Sequence, residues 1–429
     1  MKNVMICILT LVMMFLAGCG AEVLPDTYIE GSDYQYTQWS SGMFWPDLQQ
    51  GDGVIYLFNN GFIYYIEDGT DVIMPLCNKA DCLHDKETDS KMLGECNAFM
   101  GTYQDARSMF WGGVGIASCN GYIYCLDHAF SPNSPQTLHR CALDGTKKEV
   151  LYTWNSEESM ILEWIIHRDV LYYVELRYYL EDDEMRKEIS LMSLPLSGIH
   201  RRPETIYTAD KDLKVLSLGS LQAYGNHIYF EIIASRSGEE HTASESNHYD
   251  RLFEGTYIFD LQNNSLSELT IPGLQPTAVI LGVQFWQDRI VIDPYDIARG
   301  ESARMPVYIA ELDGSSPEVL FEDIPQADYF MSDGEYLYLF DDWMPDIDDW
   351  LSNPGLYTVY DEDMNIVDTF TAPHMPDGRG GRLPVGGEDW MYFKFQEDGE
   401  NDAWGVMRWD KSGIGTYNGD AYEVEYIYR

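Results

Sequence analysis

Basic residues are scarce in this chain of 429 residues: lysine and arginine total 27 against 71 aspartates and glutamates, a net charge of −44. A surface this negative repels phosphate backbones, which excludes nucleic acid as a partner. It also leaves no basic patch for docking on anionic lipid. Long apolar runs are missing as well. The most apolar stretch, Val4 to Leu16, falls short of the roughly 20 residues that a spanning helix needs. No sustained 3.6-residue periodicity occurs, so helical solenoids are excluded. The usual signposts of catalysis are absent: no GxSxG elbow, no HExxH pair and no GxxxxGK[ST] phosphate loop. The nine histidines are scattered, and none stands beside a nucleophile in sequence. Cationic partners, metal ions and neutral glycans remain admissible.

Short aromatic strands are abundant. Tyrosine alone, at 31 residues, outnumbers lysine and arginine together, and Tyr, Phe, Ile and Val suit a pleated, half-buried surface. A strand, a tight polar turn and an aromatic strand of alternating character recur from about residue 40. Examples of the aromatic strand are Val54 to Phe58, Tyr122 to Leu126, His227 to Glu231 and Trp390 to Phe395. The preceding turns, such as Asn120-Gly121, Gly225-Asn226 and Asp333-Gly334, supply residues that tolerate positive φ, the chemistry of a hairpin. A second turn, such as Asp144-Gly145-Thr146 or Asp313-Gly314-Ser315, follows a third strand and leads to a fourth.

The unit is therefore a four-stranded antiparallel meander. Its second-strand anchors are Ile55, Ile123, Leu171, Ile228, Ile290, Leu337 and Met391, at intervals of 47 to 68 residues. Four-stranded units repeating at this period predict an all-β fold, a β-propeller over residues 39–429. Seven four-stranded blades fit best, with six or eight as the neighbouring counts. A pair of β-sandwiches is the competing arrangement.

At the N-terminus, Lys2 precedes the apolar run, and the run ends in small residues, the pattern of a secretory signal peptide over residues 1–18. Leu16-Ala17-Gly18-Cys19 resembles the lipobox of bacterial lipoproteins. That resemblance implies cleavage before Cys19, a palmitate-type lipid on Cys19, a tether over residues 19–38 and a cell-membrane location on the extracytoplasmic face. A plain signal peptide with a chance cysteine is the competing reading. The stretch Met74-Pro-Leu-Cys77-Asn-Lys-Ala-Asp-Cys82-Leu-His84-Asp85 is similar to an element of β-propeller lipoproteins from Gram-positive bacteria, where proline often replaces Ala80. This second resemblance implies fold and location, not an activity.

Eight cysteines occur. With Cys7 removed in the signal and Cys19 lipidated, six remain, all in the first third of the mature chain: Cys77, Cys82, Cys96, Cys119, Cys125 and Cys141. Cys77-x4-Cys82-x-His84-x11-Cys96, within an insertion at 77–107, is the sharpest constellation. Three thiolates and an imidazole complete a tetrahedral Zn²⁺ site, disulfides would pin the insertion in an oxidising compartment, and free thiols are the third possibility. Cys125 and Cys141 lie on adjacent strands, where a disulfide is permitted. Asp341 to Trp350 combines five carboxylates with Trp343 and Trp350. Asp346, Asp348 and Asp349 offer hard oxygen ligands for Ca²⁺, although their order does not fit an EF-hand loop. The tryptophans suit sugar stacking or a protein anchor, and a solvated loop is the plainer reading.

Chain length varies in the links from second to third strands and after the first blade, at 78–107, 235–255, 293–304, 341–355 and 396–402. In a meander these links emerge at the same end of the strands, so one loop-rich face is the expected working surface. The functional expectation is a monomeric, membrane-anchored binding or scaffold module for a glycan, a peptide or an envelope protein. The alternative is an extracellular enzyme acting on carbohydrate or cell wall, with Asp/Glu acid–base pairs at the channel mouth.

Overall fold

The computed structural model describes residues 25–35, 48–101, 115–127, 136–154, 159–181, 184–198, 201–209, 214–235, 252–274, 278–296, 304–325, 329–340, 356–371, 385–386, 389–396, 404–418 and 424–429. Seven four-stranded antiparallel sheets form a β-propeller, as expected from the repeat. Blades 1 to 7 span residues 48–75, 116–153, 159–208, 214–268, 278–325, 329–371 and 385–428. The first strands of blades 1 to 6 touch in succession around the axis, and the first strand of blade 1 meets that of blade 7.

The repeat arises from local chemistry. Asn120-Gly121, Arg168-Asp169 and Gln287-Asp288 each place two successive residues at positive φ, the geometry of a two-residue hairpin turn whose twist matches its flanking strands. The second strands run through the core between neighbouring sheets. All seven anchor residues are at most 1% exposed, and burying each contributes about 1.5–3 kcal/mol.

Every blade uses four consecutive strands, and among the described residues no backbone ladder joins blade 7 to blade 1. Side chains make the seam instead. Tyr64 meets Trp404 edge to face at 4.8 Å, and Lys394 donates to the Phe58 carbonyl at 2.7 Å. Arg408 reaches the Thr70 carbonyl and the Asp71 carboxylate, and Arg429 reaches the Ile73 carbonyl and Asp85.

The stretch read as a tether, residues 19–38, differs from that expectation where it is described. Residues 25–35 are docked across the first-to-second-strand turns of blades 2, 3 and 4. The Asn120 N–H donates to the Gly31 carbonyl, and the Arg168 N–H to that of Ser32. The Asn226 N–H donates to Asp26 Oδ1 at 2.7 Å. At Gly225 a Cβ would lie 2.5 Å from Asp26 Oδ1, so the turn admits only glycine at this crossing. Beneath the segment Arg168 Nε pairs with Asp33 Oδ1 at 2.9 Å, with side chains 5% and 0% exposed.

His167 Nδ1 accepts the Tyr34 N–H at 3.0 Å, so its proton sits on Nε2 and is donated to the Gly225 carbonyl. Burial pushes the His167 pKa down to about 4, which keeps the ring neutral and the Nδ1 lone pair available. The short polar side chains of this segment give no strand or helix periodicity, and several of its partners, His167, Arg168 and Asn226 among them, lie more than 100 residues away. Arg168→Ala should cost about 3–5 kcal/mol by stranding the buried Asp33 charge. Thermal unfolding with limited proteolysis checks this, and unaltered cleavage within residues 25–35 would show that another contact holds the segment.

Candidate metal centre

Cys77, Cys82, His84 and Cys96 each place one ligand atom within 4.8 Å of the others. The backbone explains why they meet. Pro75 pairs with Tyr64 in the fourth strand of blade 1, and Phe99 bridges to Phe62 on the same third strand. Two residues along the third strand are thus matched by 24 along its partner, from 75 to 99. The insertion expected after the first blade therefore interrupts that blade's own fourth strand. Cys77 stands where the chain leaves the sheet and Cys96 where it returns. Ile63 N–H donates to the Ala98 carbonyl and Met100 N–H to that of Gly61, which completes the edge.

Within the excursion, His84 adopts φ +54° at the start of a short 3-10 turn, His84–Lys86. Asp89 caps the following helix, Ser90–Glu95, by accepting the N–H groups of Lys91 and Met92. The helix delivers Cys96 beside His84, Sγ to Nδ1 at 3.7 Å. Blade 2 braces the cluster from below. Lys148 donates to the Gly94 and Phe99 carbonyls at 3.0 and 2.7 Å, and Asn97 Nδ2 donates to the Gly145 carbonyl at 2.7 Å. A Cβ at Gly145 would lie 2.9 Å from the Cys77 nitrogen, so glycine is required there.

The electrostatics favour a thiolate at one position. Burial opposes ionisation of Cys77, but the backbones of Lys79 and Asn97 and the thiols of Cys96 and Cys82 hydrogen-bond its sulfur and bring it below the usual thiol range. Burial, with the Cys82 hydrogen bond, pushes Cys96 up to about 12. Burial also lowers His84, which keeps its imidazole neutral and able to ligate. Three soft sulfur donors with one imidazole supply four protein ligands, which match a structural tetrahedral site better than a catalytic one.

No disulfide joins the described cysteines. Cys125 faces His139 and Cys141 faces Ile123 across the strands. The two are therefore diagonal neighbours on adjacent strands. Both side chains are buried in the apolar cluster between blades 1 and 2.

Cys19, Trp343, Asp346, Asp348, Asp349 and Trp350 lie outside the described residues. Apart from 78–101, the long links lie wholly or mostly outside them too. Sequence reasoning missed Asn97, Lys148 and Gly145 as supports of the cluster. Nothing local marks them, because their role depends on two blades coming into contact.

A pair of acids lies between blades 3 and 4. Glu163 Oε1 accepts the Leu221 N–H at 2.7 Å, beside Ser220 at φ +54° and a register slip between Gly219 and Gln222. Glu231 is 5% exposed, and its Oε1 has no hydrogen-bond partner. Burial pushes Glu163 up to about 7. It pushes Glu231 up to about 8, with the charge of Glu163 adding to the effect.

No protein-family model and no curated protein sequence matches the chain. Solved structures match it in fold. One, from work on two prolyl endopeptidases and the role of inter-domain dynamics in their catalysis and specificity, aligns over 92% of this chain and 50% of its own, with 13% identity and a TM-score of 0.53. An oligogalacturonate lyase from Vibrio parahaemolyticus aligns over 87% and 88%, with 12% identity and a TM-score of 0.47. The β-propeller domain of the Trilobed protease from Pyrococcus furiosus aligns over 74% and 83%, with 16% identity and a TM-score of 0.39. The chain thus spans about half the length of the prolyl endopeptidase it matches. Together with the seven sheets, that first likeness places the protein in the β-propeller class and goes no further than fold.

The acid pair makes a pH prediction with a definite sign. Both folded values lie above the ordinary 4.5, so between about pH 4.5 and 8 the folded state holds more protons than the unfolded chain. The stability from this pair is complete below pH 4.5 and is lost as pH rises through about 7 to 8. Thermal melts across this range should show a falling contribution that Glu163→Gln/Glu231→Gln removes. An unchanged difference between acid and alkaline Tm in the double variant would refute it.

Proposed function

We propose that this protein is a lipid-anchored, extracytoplasmic β-propeller that serves as a binding module, with its first excursion stapled by a structural Zn²⁺. The docking of residues 25–35 across the first-to-second-strand turns carries this reading. In a meander those turns lie at one end of the strands and the long second-to-third links at the other. A chain anchored at Cys19 and strapped to the turn end would hold the disc with its variable links directed away from the membrane. Loops on a rigid scaffold are where recognition concentrates, and a glycan, peptide or envelope protein would be met there. The lipobox resemblance supplies the anchor, and the scaffold requires no catalytic group.

Zinc is the fitting metal for the cluster. Three sulfurs and a nitrogen within 4.8 Å agree with its ligand preference, and calcium and magnesium require oxygen. Cys77, Cys82, His84 and Cys96 would hold the ion, closing the base of the excursion so that residues 98–100 complete the blade edge.

Two measurements test this reading. Wild-type protein should fractionate with membranes and Cys19→Ala should be released; equal partition of both would rule out the anchor, and glycan hydrolysis in a parallel binding screen would rule out a pure binding role. Purified protein should carry one zinc per chain, and Cys82→Ser or Cys96→Ser should lose it, with Tm falling by more than about 5 °C. Six alkylatable thiols with no bound metal would reject the zinc assignment.

A further inference from the structure

A cavity of about 450 Å³ lies between the hairpin turns of blades 4 and 5 and the docked N-terminal segment. Five carboxylates line it: Asp26 from the segment, Asp260 from blade 4, and Asp288, Glu311 and Asp313 from blade 5; no lysine or arginine is among the described lining residues. His227 also lines the cavity. It is 6% exposed, its Nδ1 makes no hydrogen bond, and that atom lies 3.4 Å from Asp26 Oδ1. A buried polar atom without a hydrogen bond is costly, and here it adjoins a polar space large enough for a small ligand.

The walls are built, not incidental. Asp26 Oδ1 accepts the Asn226 N–H, Asp260 Oδ1 those of Gln262 and Asn263, and Asp313 Oδ1 that of Ser315. The Tyr224 hydroxyl donates to Asp288. Hydrogen bonds from Ser315 hold the Asp313 carboxyl below the usual range. Burial works against the Asp260 charge, but hydrogen bonds from Asn263 and Gln262 outweigh it. Both are therefore ionised at neutral pH; the His227 ring adds to their stabilisation and Arg289 Nε stands 3.9 Å from Glu311 Oε1, which leaves most of the five carboxylates without a lysine or arginine in the lining.

A single metal ion does not fit this arrangement. Among the described residues, the only group of candidate ligands at metal spacing is the Cys/His cluster of blade 1. The carboxylates here stand on separate turns around the space instead of converging on one point. The complementary ligand carries several separated positive charges, each a hydrogen-bond donor. We propose that this cavity binds a small aliphatic polyamine, its ammonium groups paired with the Asp26, Asp260, Asp288, Glu311 and Asp313 carboxylates, with His227 Nδ1 as a further acceptor. This goes beyond the binding role of the long links, because the cavity opens among the hairpin turns at the other end of the strands.

The test is titration calorimetry on the detergent-solubilised full chain with spermidine, at near-physiological salt so that loose surface attraction is screened. A single saturable site is expected. Glu311→Gln, whose side chain is 56% exposed, and His227→Gln should each weaken it about three- to tenfold. Asp52→Asn, on an exposed turn of blade 1, should leave it unchanged. Because Glu311 is at the surface, its variant keeps the test valid even where His227→Gln unfolds. Absence of binding overturns the proposal, as does weak multisite binding affected equally by all three substitutions, which marks a diffuse counterion atmosphere. Stoichiometric displacement of spermidine by Ca²⁺ overturns the ligand class in favour of a divalent ion.

Discussion

Ring closure without a shared strand is the constraint on which the rest of the structure depends. In each blade the backbone hydrogen bonds are satisfied among four consecutive strands, so the ladder that holds a sheet together stops at its edges. Between blades, among the described residues, side-chain packing and a few directed polar contacts hold the disc. At the seam, Tyr64 and Trp404 bury aromatic surface, and Lys394, Arg408 and Arg429 reach backbone carbonyls of blade 1. Elsewhere second-strand tyrosines serve the same end, as where the Tyr229 hydroxyl donates to the Leu312 carbonyl of the next blade at 2.6 Å. Tyrosine suits this need: its ring adds apolar area to an interblade core, and its hydroxyl can reach a polar partner, a backbone carbonyl for Tyr229 and a carboxylate for Tyr338 and Tyr392.

The same logic explains the two fasteners that lie outside the regular repeat. The Cys/His cluster sits where the fourth strand of blade 1 is interrupted, at a point where backbone pairing alone would leave the returning segment unregistered. The docked segment 25–35 crosses three blades and ties their turns together through Asp26, Asp33 and the His167–Gly225 relay. Both devices couple neighbouring blades that have no hydrogen-bond ladder between them.

Charge is handled in two opposite ways. Carboxylates at the turns, such as Asp260, Asp313 and Asp361, accept backbone N–H groups and are held ionised. Glu163 and Glu231, packed between blades 3 and 4, are pushed toward the neutral form instead. A chain of net charge −44 thus keeps its surface ionised while limiting charge inside.

The strands, their turns, the seven-fold repeat and the anchor residues were legible in the sequence, because each depends on neighbours a few positions away: alternation places Ile228 inside, and Asn120-Gly121 permits the hairpin. The membership of the Cys77, Cys82, His84 and Cys96 set was legible for the same reason, since its spacing is short. Its position inside a strand was not, because Phe99 rejoins blade 1 only through pairing with Phe62. Nor was the docking of residues 25–35 readable, or the carboxylate cavity lined by Asp26, His227 and Glu311. These assemble residues as far apart as 26 and 313, and no local pattern encodes which blades become neighbours. The sequence by itself determined the repeating unit and its buried face; only the closing of seven such units into a ring decided which distant side chains would share a site.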